Sequence, residues 1–232
     1  MLVIAHRGAS RDFAENTLDA FLGAIDQGAD GVELDVRRTS DGRLAVHHDD
    51  TLADGRAIVA TSFDRLPPAV PDLATTLDAC APLGVVNVEI KNWPEDRDFD
   101  PTEQLAGAVV ELLEGRGELD DGRILVSSFH LPTIDRVHQL APNLATGWLL
   151  GLVESQHDLV DRAAERGHGA VHPHHAFVNE DLVRIAHAAG IAVNTWTCDE
   201  PERIRWLADL GVDAVITNTP AVALEALGRG SS

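Results

Sequence analysis

The stretch Glu180–Ile216, EDLVRIAHAAGIAVNTWTCDEPERIRWLADLGVDAVI, holds two copies of one alternating unit. Glu180–Ala189 spaces its apolar residues as a helix does, and Gly190 ends it. Ile191–Trp196 is a short strand, Pro201–Leu210 is helical again, and Val212–Ile216 is a second strand. Strands joined through helices lie parallel, because the right-handed crossover packs each helix back onto the sheet.

Outward from there the unit recurs. Strands are expected at Leu2–Ala5, Gly31–Val36, Val85–Ile90, Arg123–Ser127, Ala145–Leu150 and Gly169–His172. Helices are expected at Asn16–Gln27, Leu73–Ala81, Thr102–Glu114, from Pro132, at Gln156–Arg166 and at Pro220–Leu227. Leu44–His47 reads as an extra strand after the Asp41-Gly42 turn, inside an excursion over residues 37–72. Eight βα units in 232 residues is the content of an α/β (β/α)8 TIM barrel, here one domain over residues 1–232. A doubly wound open sheet is the alternative. Gly228–Ser232 reads as a frayed tail.

The composition, 44% hydrophobic and 24% charged, is that of a globular protein. Aromatics make up 4% with no Tyr, so Ala, Val and Leu must fill the core. The net charge of -20 repels nucleic acid and anionic membrane surfaces, and an anionic substrate would need local cations or a metal. Cys80 and Cys198 fall in separate elements without a CxxC pair, as reduced thiols do. The first apolar run is too short for a signal peptide, and no stretch approaches the ~20 apolar residues of a membrane span. A cytoplasmic protein with neither a nucleic-acid partner nor a stable membrane anchor is expected; the sequence sets no oligomeric state.

Barrel enzymes draw their catalytic residues from the C-terminal ends of the strands. Polar residues collect there: His6-Arg7-Gly8, Glu33 and Asp35, Asn87 with Glu89 and Lys91, Ser127-Ser128, His172, Trp196 and Asn218. Glu33 and Asp35 are two apart on a strand and share a face, with Val32, Leu34 and Val36 opposite. Glu89 adds a third carboxylate on the next strand. Acidic groups aimed inward are costly unless a cation meets them, and a hard divalent ion prefers oxygen ligands. A salt-bridge network to Lys91 and Arg7 is the plainer alternative. His6 and His48 are suited to trade protons near neutral pH. His47 and His48 face opposite ways on an extended segment, so one of them enters the site and spacing does not choose. Arg7 offers a bidentate grip on phosphate, or an ion pair with Glu15 or Glu33, and Lys91 offers a point charge.

In order, His6-Arg7-Gly8, Glu15-Asn16-Thr17, Gly31–Val36, Val46–Leu52 and Asn87–Lys91 resemble the glycerophosphodiester phosphodiesterase family. Ala186–Gly190, Thr195–Thr197 and Gly211–Thr217 resemble its second half. The resemblance implies a barrel with a small insertion, here about residues 53–72, and hydrolysis of a small glycerophosphodiester to glycerol 3-phosphate and an alcohol. It implies His6 and His48 as the acid/base pair. It also implies Glu33, Asp35 and Glu89 as ligands of one divalent cation, Mg2+ or Ca2+. Arg7 and Lys91 fall on the phosphate, Glu15 and Asn16 order the first loop, and His172 and Trp196 are expected to line the substrate pocket. The glycerol 2-hydroxyl would attack phosphorus, giving a cyclic phosphate that water opens. A lysophospholipase D-like or cyclising activity at the same site and a non-catalytic phosphodiester binder are the alternatives.

The chain departs from the family in four places. The insertion looks short and polar, with little apolar content for a substantial cap. Thr217-Asn218 stands for Thr-Asp, and Thr197-Cys198-Asp199 for Thr-Val-Asn; both read as variation. His168, His172, His174 and His175 form a cluster the family does not explain. A second, softer metal site is disfavoured there, because no Cys or carboxylate accompanies it at ligand spacing.

Overall fold

In a computed structural model, described over residues 1–152 and 157–230, the strands close into a barrel. They are β1 (Leu2–His6), β2 (Gly31–Arg38), β3 (Leu44–Val46), β4 (Val85–Ile90), β5 (Ile124–Ser128), β6 (Ala145–Leu149), β7 (Ala170–His172), β8 (Ala192–Thr195) and β9 (Ala214–Thr217). The parallel order is β1-β9-β8-β7-β6-β5-β4-β2, and β1 pairs with β2 to complete the ring of eight. β3 lies outside it, antiparallel to β2 through Val36↔Val46 and Arg38↔Leu44. The open-sheet alternative is thereby excluded.

The helices are α1 (Leu18–Asp26), α2 (Leu73–Ala79), α3 (Gln104–Arg116), α4 (Leu131–Leu140), α5 (His157–Glu165), α6 (Glu180–Ala188), α7 (Pro201–Asp209) and α8 (Pro220–Ala226). The strand alternation decides the layers. Val32, Leu34, Val36, Val86, Val88 and Ile90 are buried with Phe21, Leu77, Val109 and Leu113 of the helices. Each such side chain contributes about 1.5–3 kcal/mol. Their neighbours Glu33, Asp35, Asn87 and Glu89 turn into the barrel and are also buried.

Several boundaries move for identifiable reasons. α1 begins at Leu18 because Thr17 caps it, accepting from the Ala20 N–H, while Asn16 is held in the left-handed region at φ 56°. α3 begins at Gln104 because the Asp100 carboxylate accepts from Thr102 and Gln104 ahead of it. Gln156, expected in the fifth helix, lies outside the described residues, as do Ser231 and Ser232 of the expected tail. The rest of that tail is anchored: the Arg229 guanidinium donates to both Asp30 oxygens at 2.8 and 2.7 Å.

The insertion is less polar in space than in sequence. Short turns at Ile58–Ala60 and Phe63–Arg65 gather Ala45, Leu52, Ile58 and Leu66 into a small core of their own. That core sits against β3, and residues 53–72 contribute no lining to the cavities at the barrel mouth.

The turn after β1 requires glycine. Gly8 has φ 83°, and a Cβ there would lie 2.5 Å from the Ala20 carbonyl carbon. This close approach of α1 accompanies a left-handed Arg7, φ 56°, at the strand end. Both cysteines are buried free thiols. Among the described residues no helix is long and apolar enough to cross a membrane.

Candidate active site

Strand register brings the acidic residues together. β1 sets His6 opposite Glu33, and β2 sets Asp35 opposite Glu89. Glu33, Asp35 and Glu89, all buried, offer carboxylate oxygens within 4.8 Å of one another. Two cations answer three anions. Lys91 Nζ lies 2.7 Å from Glu89 and 3.6 Å from Asp35. Arg7 Nε lies 3.1 Å from Asp35, while its Nη1 is shared with Glu15 at 3.0 Å. The expected Arg7–Glu33 contact is made by the backbone: the Arg7 N–H donates to Glu33 Oε2 at 3.1 Å.

The electrostatics follow from that imbalance. Burial, then Asp35 and Glu89, push the Glu33 carboxyl well above its ordinary range. Burial also pushes Asp35 up, but Lys91 and Arg7, with His48 and the Asn16 amide, hold it below. Burial raises Glu89 against the pull of Lys91. Buried Glu33 Oε1 and Asp35 Oδ1 have no hydrogen-bond partner. Oxygen donors, excess negative charge and orphaned carboxylate oxygens together fit a hard divalent cation.

His6, Arg7, Glu33, His48, Glu89 and Lys91 all line one cavity of about 220 Å³, with Trp196 and Phe129 on its wall. The ambiguity of the His47-His48 pair is resolved here. His48 enters the cavity with Nδ1 2.7 Å from Asp49 Oδ1, while His47 Nδ1 turns to the Asp49 carbonyl. Burial lowers the pKa of both His6 and His48, so both imidazoles favour the neutral form.

His172 is the exception among the expected pocket residues. Although it ends β7, its ring is fully buried lower in the barrel, with Nε2 3.2 Å from Asn194. There it lines a separate cavity beside Leu2, Val85, Ala145 and Ala214, the first residues of their strands. The ring occupies the space left by Gly147, whose Cβ would lie 2.5 Å from it. Burial pushes its pKa down to about 3. An unfolded histidine titrates near ~6.5, so between those values the unfolded chain holds a proton that the folded chain lacks. Stability from this group is complete above pH ~6.5 and falls by roughly 1 kcal/mol per unit as pH drops toward 3. Urea unfolding of His172→Gln should show a correspondingly flatter pH slope over roughly pH 4–6. An unchanged slope would mean that the folded ring takes up the proton.

Three supporting contacts escaped the sequence reading. Asn16 clasps Asp35, donating Nδ2 to Oδ2 at 2.7 Å and accepting from its N–H at 3.3 Å. Arg37 Nε donates to the His48 carbonyl at 2.7 Å and so braces the loop that carries it. Asn218 Oδ1 lies 2.8 Å from His6 Nδ1. The two departures near the C-terminus prove to be one contact: Asp199 accepts from both the Asn218 amide side chain and its backbone N–H at 2.8 Å. An ionised Asp199 only accepts, so Asn218 must present Nδ2 to it and Oδ1 to His6. His6 then donates from Nδ1 and keeps the Nε2 lone pair. The signal was in the sequence, as an acid and an amide exchanged between two positions. Asn218→Leu should lower kcat about tenfold with little change in melting temperature; an unchanged kcat would remove Asn218 from the positioning of His6.

The remaining members of the histidine cluster separate, except that the rings of His174 and His175 stay together with centroids 4.5 Å apart. His168 bonds Thr146 and Asp135. His175, contrary to expectation, does acquire a cysteine and a carboxylate: Cys198 and Glu200 lie within 4.8 Å of it. They come from the loop after β8, so spacing near His175 could not reveal them. Burial pushes the Cys198 thiol up to about 11, and it donates to Glu200 at 3.7 Å.

The sequence profile described as "Glycerophosphoryl diester phosphodiesterase family" matches residues 6–222. The chain belongs to that family. It is 30% identical over 251 residues to a glycerophosphodiester phosphodiesterase of Caldanaerobacter subterraneus subsp. tengcongensis, covering 99% of this chain and 98% of that one. Among solved structures it resembles an Oleispira antarctica phosphodiesterase in complex with the product sn-glycerol-3-phosphate. That match has a TM-score of 0.87 at 28% identity, over 98% of this chain and 97% of the other. The glycerophosphodiester phosphodiesterase of Thermotoga maritima gives 0.82 at 28%, over 97% of each chain.

Proposed function

We propose that the chain hydrolyses glycerophosphodiesters to sn-glycerol 3-phosphate and an alcohol, with His6 and His48 as the proton-transfer pair and one Mg2+ or Ca2+ as cofactor. The observation that carries this reading is the convergence of two imidazoles, Glu33, Glu89, Arg7 and Lys91 on a single cavity, with Asp35 completing the acidic trio beneath it, within 4.8 Å of the other two carboxylates. The names of the relatives and the product bound to the Oleispira antarctica enzyme support the substrate class.

Glu33, Asp35 and Glu89 would hold the ion, which when bound supplies Lewis-acid stabilisation of charge on phosphate oxygens. The chain's own groups do the rest. Arg7 and Lys91 face the cavity and offset the field of the -20 chain where the phosphate enters. His6 donates Nδ1–H to an amide, so its Nε2 accepts a proton from the attacking glycerol 2-hydroxyl. On His48 the Asp49 carboxylate at Nδ1 opposes the lowering by burial and would stabilise the imidazolium that protonates the departing alkoxide. Attack by the 2-hydroxyl breaks the bond from phosphorus to the alcohol and leaves a cyclic phosphate. Water opens that ring with the two histidines exchanging roles. Trp196 closes one side, its indole N–H fixed on the His172 carbonyl at 2.7 Å.

Phosphorus NMR of the products tests the proposal. The expected end point is the glycerol 3-phosphate monoester. Accumulation of cyclic phosphate alone would recast the chain as a cyclising enzyme, and an unchanged diester would overturn the assignment.

A further inference from the structure

We propose that a second cavity, opening beside His48, is a subsite for a positively charged leaving alcohol, an amino or quaternary-ammonium alcohol. This deepens the reading above and rests on it. The cavity measures about 460 Å³ and shares His48, Glu89, Lys91, Phe129 and Trp196 with the catalytic one, so the two are continuous across the site of bond cleavage. It extends on the side of His48, the group assigned to protonate the alkoxide. The departing half of the diester therefore lies in it.

Its walls are aromatic. Trp93, Phe129 and Trp196 form an edge-to-face series, with centroids 5.9 and 5.4 Å apart and ring planes at 81° and 89°. Neighbouring rings at right angles present π-faces in two directions, the arrangement that surrounds a cation. Aromatics are only 4% of this chain, and Trp93 stands 43% exposed on the loop after β4. A large exposed ring there is better explained by a ligand than by the core.

Its charge is negative. The Arg37 guanidinium is taken by two carboxylates, Asp98 at 2.6 Å and Asp96 at 2.9 Å, and Lys91 by Glu89. His130 faces Glu103 at 3.2 Å. Asp49 and Asp50 line the same cavity, where Asp49 accepts from His48 and Asp50 from the Arg97 N–H. The lining therefore carries more acid than base. An ammonium head gains both ring faces and carboxylates; a neutral polyol gains neither; a second phosphate is repelled. Cation–π contacts of ~0.5–2 kcal/mol each convert to severalfold or larger preferences.

The test is kcat/KM of the full chain, with Mg2+ or Ca2+ present, on glycerophosphocholine, -ethanolamine, -glycerol and -inositol. The two cationic diesters should be favoured by about tenfold or more. Trp93→Ala should lower kcat/KM for glycerophosphocholine about tenfold, chiefly through KM, and leave glycerophosphoglycerol within about twofold; Asp50→Asn should act in the same direction and less. Equal rates on all four, or parallel losses in the variants, would overturn the subsite. If no diester turns over, the proposed hydrolysis fails, and titration with choline alone still decides the subsite. Saturable binding seen by Trp fluorescence and lost in Trp93→Ala supports it, and no binding rejects it.

Discussion

His48→Ala and His6→Ala each lower turnover on a natural glycerophosphodiester by at least ~100-fold, the ordinary worth of a positioned acid or base. The two losses should differ in character. In the first step His48 carries its proton to an alkoxide, so a diester with a p-nitrophenolate leaving group, which needs no protonation, should return the alcohol-releasing step of His48→Ala to within about tenfold of the parent enzyme, while opening of the cyclic phosphate stays slow. The same substrate should not rescue His6→Ala, because the hydroxyl nucleophile still requires a base. Single-turnover release of the alcohol from both substrates by both variants makes the comparison. Rescue of His6→Ala and not of His48→Ala would invert the assignment, and near-normal activity in either would remove that residue from the chemistry.

The second large effect concerns the acidic trio. Chelation should abolish turnover, and Mg2+ or Ca2+ should restore it. Stability supplies a reading independent of activity. Without an ion, Glu33 is a buried carboxyl beside two others, pushed well above its ordinary pKa by burial and by Asp35 and Glu89. Glu33→Gln removes one member of that repulsion, so metal-free Glu33→Gln should melt no lower than the metal-free parent. Added cation should then reverse the order. An ion at 100 times its dissociation constant stabilises the parent by ~2.7 kcal/mol through mass action, while the variant, short of one ligand, gains far less. Calorimetry with and without chelator shows whether the curves cross. A parent enzyme whose melting temperature ignores both cations, and which turns over fully in chelator, would reject the trio as a metal site.

Much of this was legible in the sequence because it depends on period. The alternation in Gly31–Val36 and Val85–Ile90 assigns Glu33, Asp35 and Glu89 to the barrel interior, and regular βα spacing predicts closure. What escaped depends on direction and on distant pairing. His172 has the same strand-end position as the useful residues, yet the absence of a side chain at Gly147 gives its ring a berth lower in the barrel. Asp199 and Asn218 looked like unrelated variation until β8 and β9 brought their loops together behind His6. Cys198 and Glu200 reach His175 by the same route, between loops rather than along one. The insertion read as polar because Ile58, Phe63, Leu66 and Val70 do not form a periodic run, although they meet in space against Ala45 and Leu52.

A crystal soaked with Mn2+ or Ca2+ and glycerol 3-phosphate, with the ion located by its anomalous signal, tests the arrangement most directly. The expected result is a single strong peak bounded by oxygens of Glu33, Asp35 and Glu89, with the phosphate between the rings of His6 and His48. An ion seated away from those carboxylates, or a phosphate beyond reach of both imidazoles, would contradict it.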